Sequence, residues 1–493
     1  MSDKADTMSD KADTMSDKAD RSADHHGATK VSRRDFARSS VAAGAAAVTL
    51  STPLRADTFE ATGSRVEQRT GGYPDGWRPG TTIPAKYYLD EDIYLKDEAM
   101  VRDNLWLFVD HESRIPDAGD FFVFAYGRSD SILVVRNNEG AINAFHNVCR
   151  HRGSRLCRHD ADSISGDPRL SVKQLGQEGS SPVFRCPYHA WTYDVDGNLI
   201  YAYGMQDDFD PAANGLQPCN IRTYEGHIFL HLGEGAAPDF EPTVRAIRGL
   251  SRRHGTAQLK IAARRQYPVR GNWKLALENF LECYHCGPAH KSLVTAHDWD
   301  YALTDEQRVE FEKELDTWVT GEARPGRGGG GMGGGGIADG LRTNAGVGRG
   351  FLYPGIETGS LDGKRVAPLL PTFDKPTHGF REAQTGWDTA YWAAYDDHVA
   401  IARFTPRNVE FSDCEIIWLV HPDAQEGRDY DVEALIALWH VTILEDIWIV
   451  ENNHAGVRSG AYGAGRYAIH EGPPIRFMDW YMGVQRGDDP GSV

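Results

Sequence analysis

Cys149-Arg150-His151-Arg152-Gly153 and Cys186-Pro187-Tyr188-His189-Ala190-Trp191 decide how this chain is read. Each stretch offers one thiolate and one imidazole on a tight loop. Folding the two loops together surrounds one metal centre with two sulfurs and two nitrogens. Cys₂His₂ is a familiar structural zinc set, but its usual spacing keeps the two Cys together and the two His together. Here each loop carries one of each. A [2Fe–2S] cluster in which two His replace two Cys on one iron uses this order, and the loss of thiolate charge raises its reduction potential.

The order C-x-H … C-P-x-H resembles Rieske domains. In Rieske proteins that only carry electrons, an extra Cys in each cluster loop forms a disulfide. Tyr188 stands where the second of those would be, so the resemblance implies no such pairing for Cys157. Ala190 occupies a place where the family usually has Gly, which narrows the allowed backbone shape. The 34 residues from 152 to 185 exceed the spacing of the oxygenase members, and the polar stretch Asp160–Ser180 reads as a surface insertion.

Around these loops, from about Tyr87 to Gly233, short apolar runs recur: Leu105–Val109, Phe121–Tyr126, Ile132–Val135, Ala141–Val148, Val183–Arg185 and His227–Leu232. Asn137-Asn138-Glu139-Gly140 and Asp194-Val195-Asp196-Gly197 supply hairpin turns between them. The pattern predicts an all-β domain whose strands hold both ligand loops.

A second motif follows, from Gly271-Asn272-Trp273-Lys274 through Glu278-Asn279 to Glu282-Cys283-Tyr284-His285-Cys286-Gly287-Pro288-Ala289-His290. It resembles the NWK…EN…E-x-Y-H-x₄-H motif of Rieske non-haem iron oxygenase large subunits. On a helix Glu282 and His285 share a face, whereas His290 lies about 140° from His285. Gly287-Pro288 lets the chain turn back so that both His address one ion. A facial triad on Fe(II) needs one carboxylate besides two imidazoles, leaving positions open for O₂. Asp446 is the candidate, five residues before Glu451 as in the family, with neighbouring Glu445 as the alternative. The resemblance gives Glu282 the part of a bridge between a cluster His of one subunit and an iron His of the next. Ring-hydroxylating members commonly have Asp there; Glu looks more like the branch acting on quaternary ammonium compounds such as glycine betaine and carnitine.

Downstream, Val399–Phe404 and Cys414–Val420 read as strands and Val432–Val450 as a long helix. The expected fold is α+β: an all-β Rieske domain, then a catalytic domain in which an antiparallel sheet wraps round helices (helix-grip, START-like). Residues 321–350, with Gly328–Gly331 and Gly333–Gly336, read as a flexible Gly-rich loop that lacks a phosphate-loop ending. Trp387, Tyr391, Trp392 and Tyr395 form an aromatic group, read as core, with a cage for a quaternary ammonium ion as the sharper alternative. His454 either packs or touches the substrate pocket.

The first twenty residues repeat MSDKAD(T) and read as a solvated tail. Ser32-Arg33-Arg34-Asp35-Phe36, followed by the apolar run Val41–Leu50, resembles a twin-arginine export signal, and that run is too short to span a bilayer. This implies a periplasmic location, with a cytoplasmic one as the alternative. Domain limits are set at 1–58 for the leader, 59–238 for the Rieske part and 239–493 for the catalytic part. Lys and Arg number 53 against 71 Asp and Glu, a net charge of -18, which argues against nucleic acid as a partner. Seven Cys, two of them cluster ligands, make no disulfide framework.

The reading is an oxygenase large subunit with a [2Fe–2S] Rieske cluster on Cys149, His151, Cys186 and His189, and mononuclear Fe(II) on His285, His290 and Asp446. Glu282 carries electrons between them. Its expected partners are an NAD(P)H-dependent reductase or ferredoxin, O₂ and a small organic substrate that is hydroxylated, dihydroxylated or demethylated, and its expected assembly is a homotrimer. An exported Rieske electron-transfer protein without oxygenase activity is the competing reading, and a zinc-stabilised binding module is another.

Overall fold

Strands dominate the first half of the chain because its short apolar runs are broken by Asn, Asp and Gly turns. The computed structural model describes residues 72–158, 177–297, 345–353, 355–377, 379–385, 390–468 and 471–488. The leader, most of the 160–180 insertion, the Gly-rich stretch before 345 and Trp387 lie outside the described residues.

Helices α1 (Lys86–Leu89) and α2 (Glu91–Asn104) precede the strands β1 (Leu107–His111), β2 (Asp120–Tyr126), β3 (Asp130–Arg136), β4 (Ile142–His146), β5 (Glu178–Ser180), β6 (Val183–Arg185), β7 (Thr192–Asp194), β8 (Leu199–Tyr201), β9 (Asn220–Tyr224) and β10 (His227–His231). They form antiparallel sheets in the orders β4-β3-β2-β5, β6-β7-β8 and β1-β10-β9. Both expected hairpins form. At the β3–β4 turn the Asn137 side-chain oxygen accepts from the amides of Glu139 (3.1 Å) and Ala141 (2.9 Å), so a polar side chain replaces missing ladder bonds. The end of the insertion is not loop: Glu178–Ser180 pairs with β2. Phe121, Leu133, Phe145, Phe184, Trp191 and Tyr193 pack a core that also encloses Cys149 and Cys186.

The second half comprises α3 (Glu241–His254), β11 (Lys260–Val269), α4 (Trp273–Phe280), α5 (Cys286–Ala289), α6 (Leu293–Ala296), β12 (Ala345–Phe351), β13 (Gly379–Thr385), β14 (Ala390–Ala394), β15 (Val399–Asn408), β16 (Phe411–Val420), α7 (Val432–Val457) and α8 (Gly472–Arg486). One antiparallel sheet, β11-β16-β15-β14-β13-β12, is covered on both faces. Alternation along the strands sorts its side chains. Tyr391, Tyr395, Ala402, Phe404, Cys414, Ile416 and Trp418 share a core with α4, α7 and α8. Trp392, Val399, Ile401, Ile417 and Leu419 face α3 and the β1-β10 strands instead. The expected aromatic group is therefore split: Tyr391 and Tyr395 point one way and Trp392 the other, all buried.

Two expectations need correction. The Gly-rich loop, set at 321–350, gives way to strand by Ala345, because its last residues pair with β13. Helix α7 runs to Val457 rather than Val450. Its buried stripe of Leu435, Leu438, Trp439, Thr442, Asp446 and Val450 continues through His454 and Val457 at helical spacing, although the sequence between turns polar. Asp431 caps its start, accepting from the Ala434 amide at 2.9 Å. His454 packs in the stripe near Gly271.

The Rieske region is tied to the catalytic sheet by polar contacts that must desolvate together. Buried Asp110 on β1 accepts from Arg114 at 2.6 Å and lies 3.4 Å from Arg264 on β11. The Arg407 guanidinium on β15 donates to the Ala125 carbonyl on β2 at 2.8 Å. Removing one partner of such a set leaves a stranded charge. Among the described residues no helix is long and apolar enough to cross a membrane.

Candidate metal centres

The two cluster loops share one construction. In the first, the Cys149 amide donates to the Ser154 carbonyl (2.8 Å) and Gly153 closes back on Cys149 (3.0 Å). In the second, Cys186 donates to Trp191 (2.7 Å) and Ala190 closes back on Cys186 (3.0 Å). Buried Asn147 staples the first loop from behind, its oxygen accepting from the Leu156 and Cys157 amides at 3.0 and 2.9 Å. Ala190 has φ of 61°, a left-handed conformation that its Cβ resists.

Cys149 and Cys186 are buried and unpaired, as is Cys157. The rings of His151 and His189 lie 4.6 Å apart, and His151 stacks on Trp191 at 4.7 Å. The His151 Nδ1 is buried with no hydrogen-bond partner among the described residues, an arrangement that suits a metal ligand and is costly otherwise. Tyr193 supports Cys149: its hydroxyl lies 3.3 Å from the sulfur and accepts from the Arg150 amide at 3.0 Å. His189 is exposed, so this edge of the site opens to the surface.

At the second site α4 starts where the Asn272 side chain accepts from the Lys274 amide (3.1 Å), and it ends at Phe280. The expected shared helical face of Glu282 and His285 is therefore not how they meet. Glu282 lies in the turn beyond the helix, where its carboxylate accepts from the backbone amides of Tyr284 and His285, bonds that compete with helix continuation. Its other oxygen is 2.6 Å from His285 Nδ1. Pro288 does not break the chain either; it sits inside the one-turn α5, where its missing N–H has no helical acceptor to lose. His290 follows directly.

Three atoms converge. His285 Nε2 is 3.1 Å from His290 Nε2, and Asp446 Oδ1 lies 3.2 and 3.0 Å from them. Asp446 is buried in the apolar stripe of α7, held ionised against the cost of burial by both His. Burial would lower the His285 pKa, but hydrogen bonds with Asp446 and Glu282 lift it to about 9. Two imidazole nitrogens and a carboxylate oxygen packed this closely, and offered from one side, could hold a divalent ion with open positions. Cys286 Sγ also comes within 4.8 Å of ligand atoms of both His, yet it is bonded to Cys283.

Sequence reasoning missed three features here. Glu445, the alternative ligand, turns to the far side of His290, 2.9 Å from Nδ1. The Asn279 side-chain nitrogen lies 3.3 Å from His285 Nε2. The Cys283–Cys286 bond was unforeseen; two Cys three apart beside a His was the available signal. A cleft of about 1300 Å³ whose lining includes Arg114, Arg264, Arg403 and Arg407 contains none of these site residues.

Two family descriptions match the chain: "Rieske [2Fe-2S] domain" over residues 105–217 and "Ring hydroxylating alpha subunit (catalytic domain)" over 256–485. The glycine betaine monooxygenase oxygenase subunit of Chromohalobacter salexigens is 30% identical over 450 residues, covering 88% of this chain and 90% of that one. The chain is a Rieske non-haem iron oxygenase large subunit. The carnitine monooxygenase oxygenase subunit of Escherichia coli is 32% identical over 254 residues, 48% of this chain and 63% of that one. Among solved structures, a quaternary ammonium Rieske monooxygenase in complex with L-carnitine superposes with a TM-score of 0.57 at 20% identity, covering 82% of this chain and 95% of that one, which bears on the fold alone.

This Rieske oxygenase subunit accordingly carries a [2Fe–2S] cluster domain and the catalytic domain that binds mononuclear iron. The readings as a zinc module and as an electron carrier without oxygenase activity are set aside, since neither accounts for a catalytic domain over 256–485.

Proposed function

We propose that this subunit oxidises a small quaternary ammonium compound by removing an N-methyl group. The carrying observation is the approach of His285, His290 and Asp446 to within 3.2 Å of one another in a chain that also holds the C-x-H and C-P-x-H loops. The substrate class is supported by the glycine betaine relative, aligned over 88% of this chain, and by Glu rather than Asp at 282. In balance, R–N(CH₃)₃⁺ + O₂ + NAD(P)H + H⁺ gives R–NH(CH₃)₂⁺ + CH₂O + H₂O + NAD(P)⁺.

Cys149, His151, Cys186 and His189 would hold the cluster, and His285, His290 and Asp446 the iron. When bound, these groups supply one-electron transfer and O₂ activation. The protein's own residues do the positioning. Glu282 fixes the tautomer of His285 by accepting at Nδ1, and Glu445 does the same for His290, so both Nε2 atoms point inward. Asn279 limits how far His285 can swing.

Glu282 is also proposed to hydrogen-bond a cluster His of a neighbouring subunit, which calls for a closed head-to-tail ring, a homotrimer. Exposed Tyr284, Leu444 and Trp448 on the catalytic side, and Tyr188, Tyr201 and Tyr203 near the cluster loops, support such an interface. A reductase or ferredoxin drawing on NAD(P)H would supply electrons. Arg33-Arg34 and the apolar run after them support export in the folded state.

The test is O₂ uptake and formaldehyde release with a surrogate reductase, offering glycine betaine, carnitine and aromatic acids in parallel. One formaldehyde per O₂ with a quaternary ammonium substrate is expected. Turnover of an aromatic acid with none of the amines would overturn the substrate class.

A further inference from the structure

The bond between Cys283 and Cys286 closes around a proposed iron ligand. A link between residues three apart ties off almost no chain, so it contributes little as a staple of the fold. Its place is what needs explaining. Tyr284 and His285 lie inside the ring it closes, Glu282 precedes it, and His290 follows directly after the one-turn α5. The other described cysteines, Cys149, Cys157, Cys186, Cys219 and Cys414, are buried and unbonded.

The sulfur of Cys286 stands beside the iron cradle, its Sγ within 4.8 Å of a ligand nitrogen on each of His285 and His290. Sulfur and nitrogen ligands on one tetrahedral Zn²⁺ sit about 3.6 Å apart, so a shift of no more than about 1.2 Å completes the approach. Cys286 is 1% exposed and packs with Leu293, Ala296 and Leu438, out of reach of an external thiol. Cys283 is only half-buried, beside exposed Tyr284, and is the sulfur that a reductant meets first. While the bond holds, Cys286 has no thiolate to offer, and the cradle of His285, His290 and Asp446 keeps its open positions.

We propose that Cys283 and Cys286 form a redox latch on this cradle: as a disulfide they keep it a three-ligand site for Fe²⁺, and as a dithiol they supply Cys286 as a fourth ligand, making a closed Cys-His-His-Asp site for Zn²⁺. This rests on His285, His290 and Asp446 being the metal ligands. To open the latch, a thiolate of a dithiol reductant attacks Cys283 Sγ, the S–S bond breaks and Cys286 leaves as thiolate. The reductant's second thiolate then displaces Cys283. The reductant ends as a disulfide, its two protons pass to the protein sulfurs, and the one on Cys286 is released when that sulfur binds the ion. A thiolate favours Zn²⁺ over Fe²⁺, and four protein ligands leave no position for O₂.

The test uses the full-length chain with its cluster in place and the iron site emptied by a ferrous chelator, once as the disulfide and once after reduction by a phosphine. Equilibrium dialysis reads Zn²⁺ affinity, and cobalt-edge X-ray absorption of the Co²⁺-loaded protein counts sulfur neighbours without interference from the cluster irons. Reduction is expected to raise Zn²⁺ affinity by about tenfold or more and to add one sulfur at about 2.3 Å from the ion. Cys283→Ser should show both without reduction, and Cys286→Ser should show neither after it. Cluster absorbance and thiol counts verify each form. A reduced wild type with no sulfur neighbour or with unchanged Zn²⁺ affinity, or a Cys286→Ser variant that keeps both, overturns the latch and leaves the ligand reading standing. Co²⁺ held by no imidazole in either form overturns both.

Discussion

Glu445 Oε2 lies 2.9 Å from His290 Nδ1, on the opposite side of the ring from Asp446. Adjacent carboxylates on one helix thus divide, Asp446 toward the Nε2 atoms of His285 and His290 and Glu445 toward the outer nitrogen of His290. Such outer partners typically affect metal affinity by about 10–100-fold. Glu445→Ala should lower Fe(II) affinity within that range and leave the cluster absorbance unchanged. Asp446→Ala should leave only the cluster's two irons, against about three per chain in the wild type. Iron analysis after gel filtration reads both; equal retention in the two variants would contradict the division.

Glu282 makes a different prediction, because it touches the Nδ1 of His285 and reaches no metal-facing atom. Glu282→Gln should keep both metal centres while steady-state turnover drops about 10–100-fold. Rapid-freeze paramagnetic resonance, following reoxidation of the reduced cluster by O₂ and substrate, should show the slow step between the two centres. Unchanged reoxidation would remove Glu282 from the electron route.

Ala190 sits at φ 61° in the second cluster loop. Glycine carries no Cβ to clash there, so Ala190→Gly should stabilise the cluster domain by about 0.5–1 kcal/mol, the relief of left-handed strain less the extra freedom of an unfolded glycine. A higher temperature for loss of cluster colour is the readout.

Half-buried Glu278 accepts from the hydroxyls of Tyr88 (2.6 Å) and Tyr467 (2.7 Å), and desolvation of its carboxyl outweighs those bonds, lifting its pKa from the ordinary 4.5 to about 7. A raised carboxyl binds its proton more tightly in the folded chain. Its stabilising contribution is therefore complete below pH 4.5 and lost as pH rises through about 7. Glu278→Gln should flatten the fall of the thermal midpoint across that window. An unaltered slope would mean that this group titrates normally.

Much of this was legible because the chemistry is local. Each cluster loop carries its Cys and His within four residues, and Asp446 interrupts an apolar stripe where only a function explains a carboxylate. What was illegible depends on tertiary approach. Whether Glu445 or Asp446 meets the His pair depends on which flank of α7 packs against α5, and their 100° separation leaves that open. The end of α4 at Phe280 depends on Glu282 bonding to its own backbone, an option the residue types permit without dictating. The buried Glu382 lay in a stretch with no strand assigned, and only the register with β14 shows which side it takes.

The pairing of β11 with β16 governs when the proposed iron ligands can first meet. Helix α4 follows the one strand and α7 the other, so His285 and Asp446, 161 positions apart, become neighbours only once that long-range ladder has closed. During synthesis the two imidazoles leave the ribosome well before their carboxylate. A nascent chain therefore has both cluster loops early and all three residues of the proposed iron cradle late.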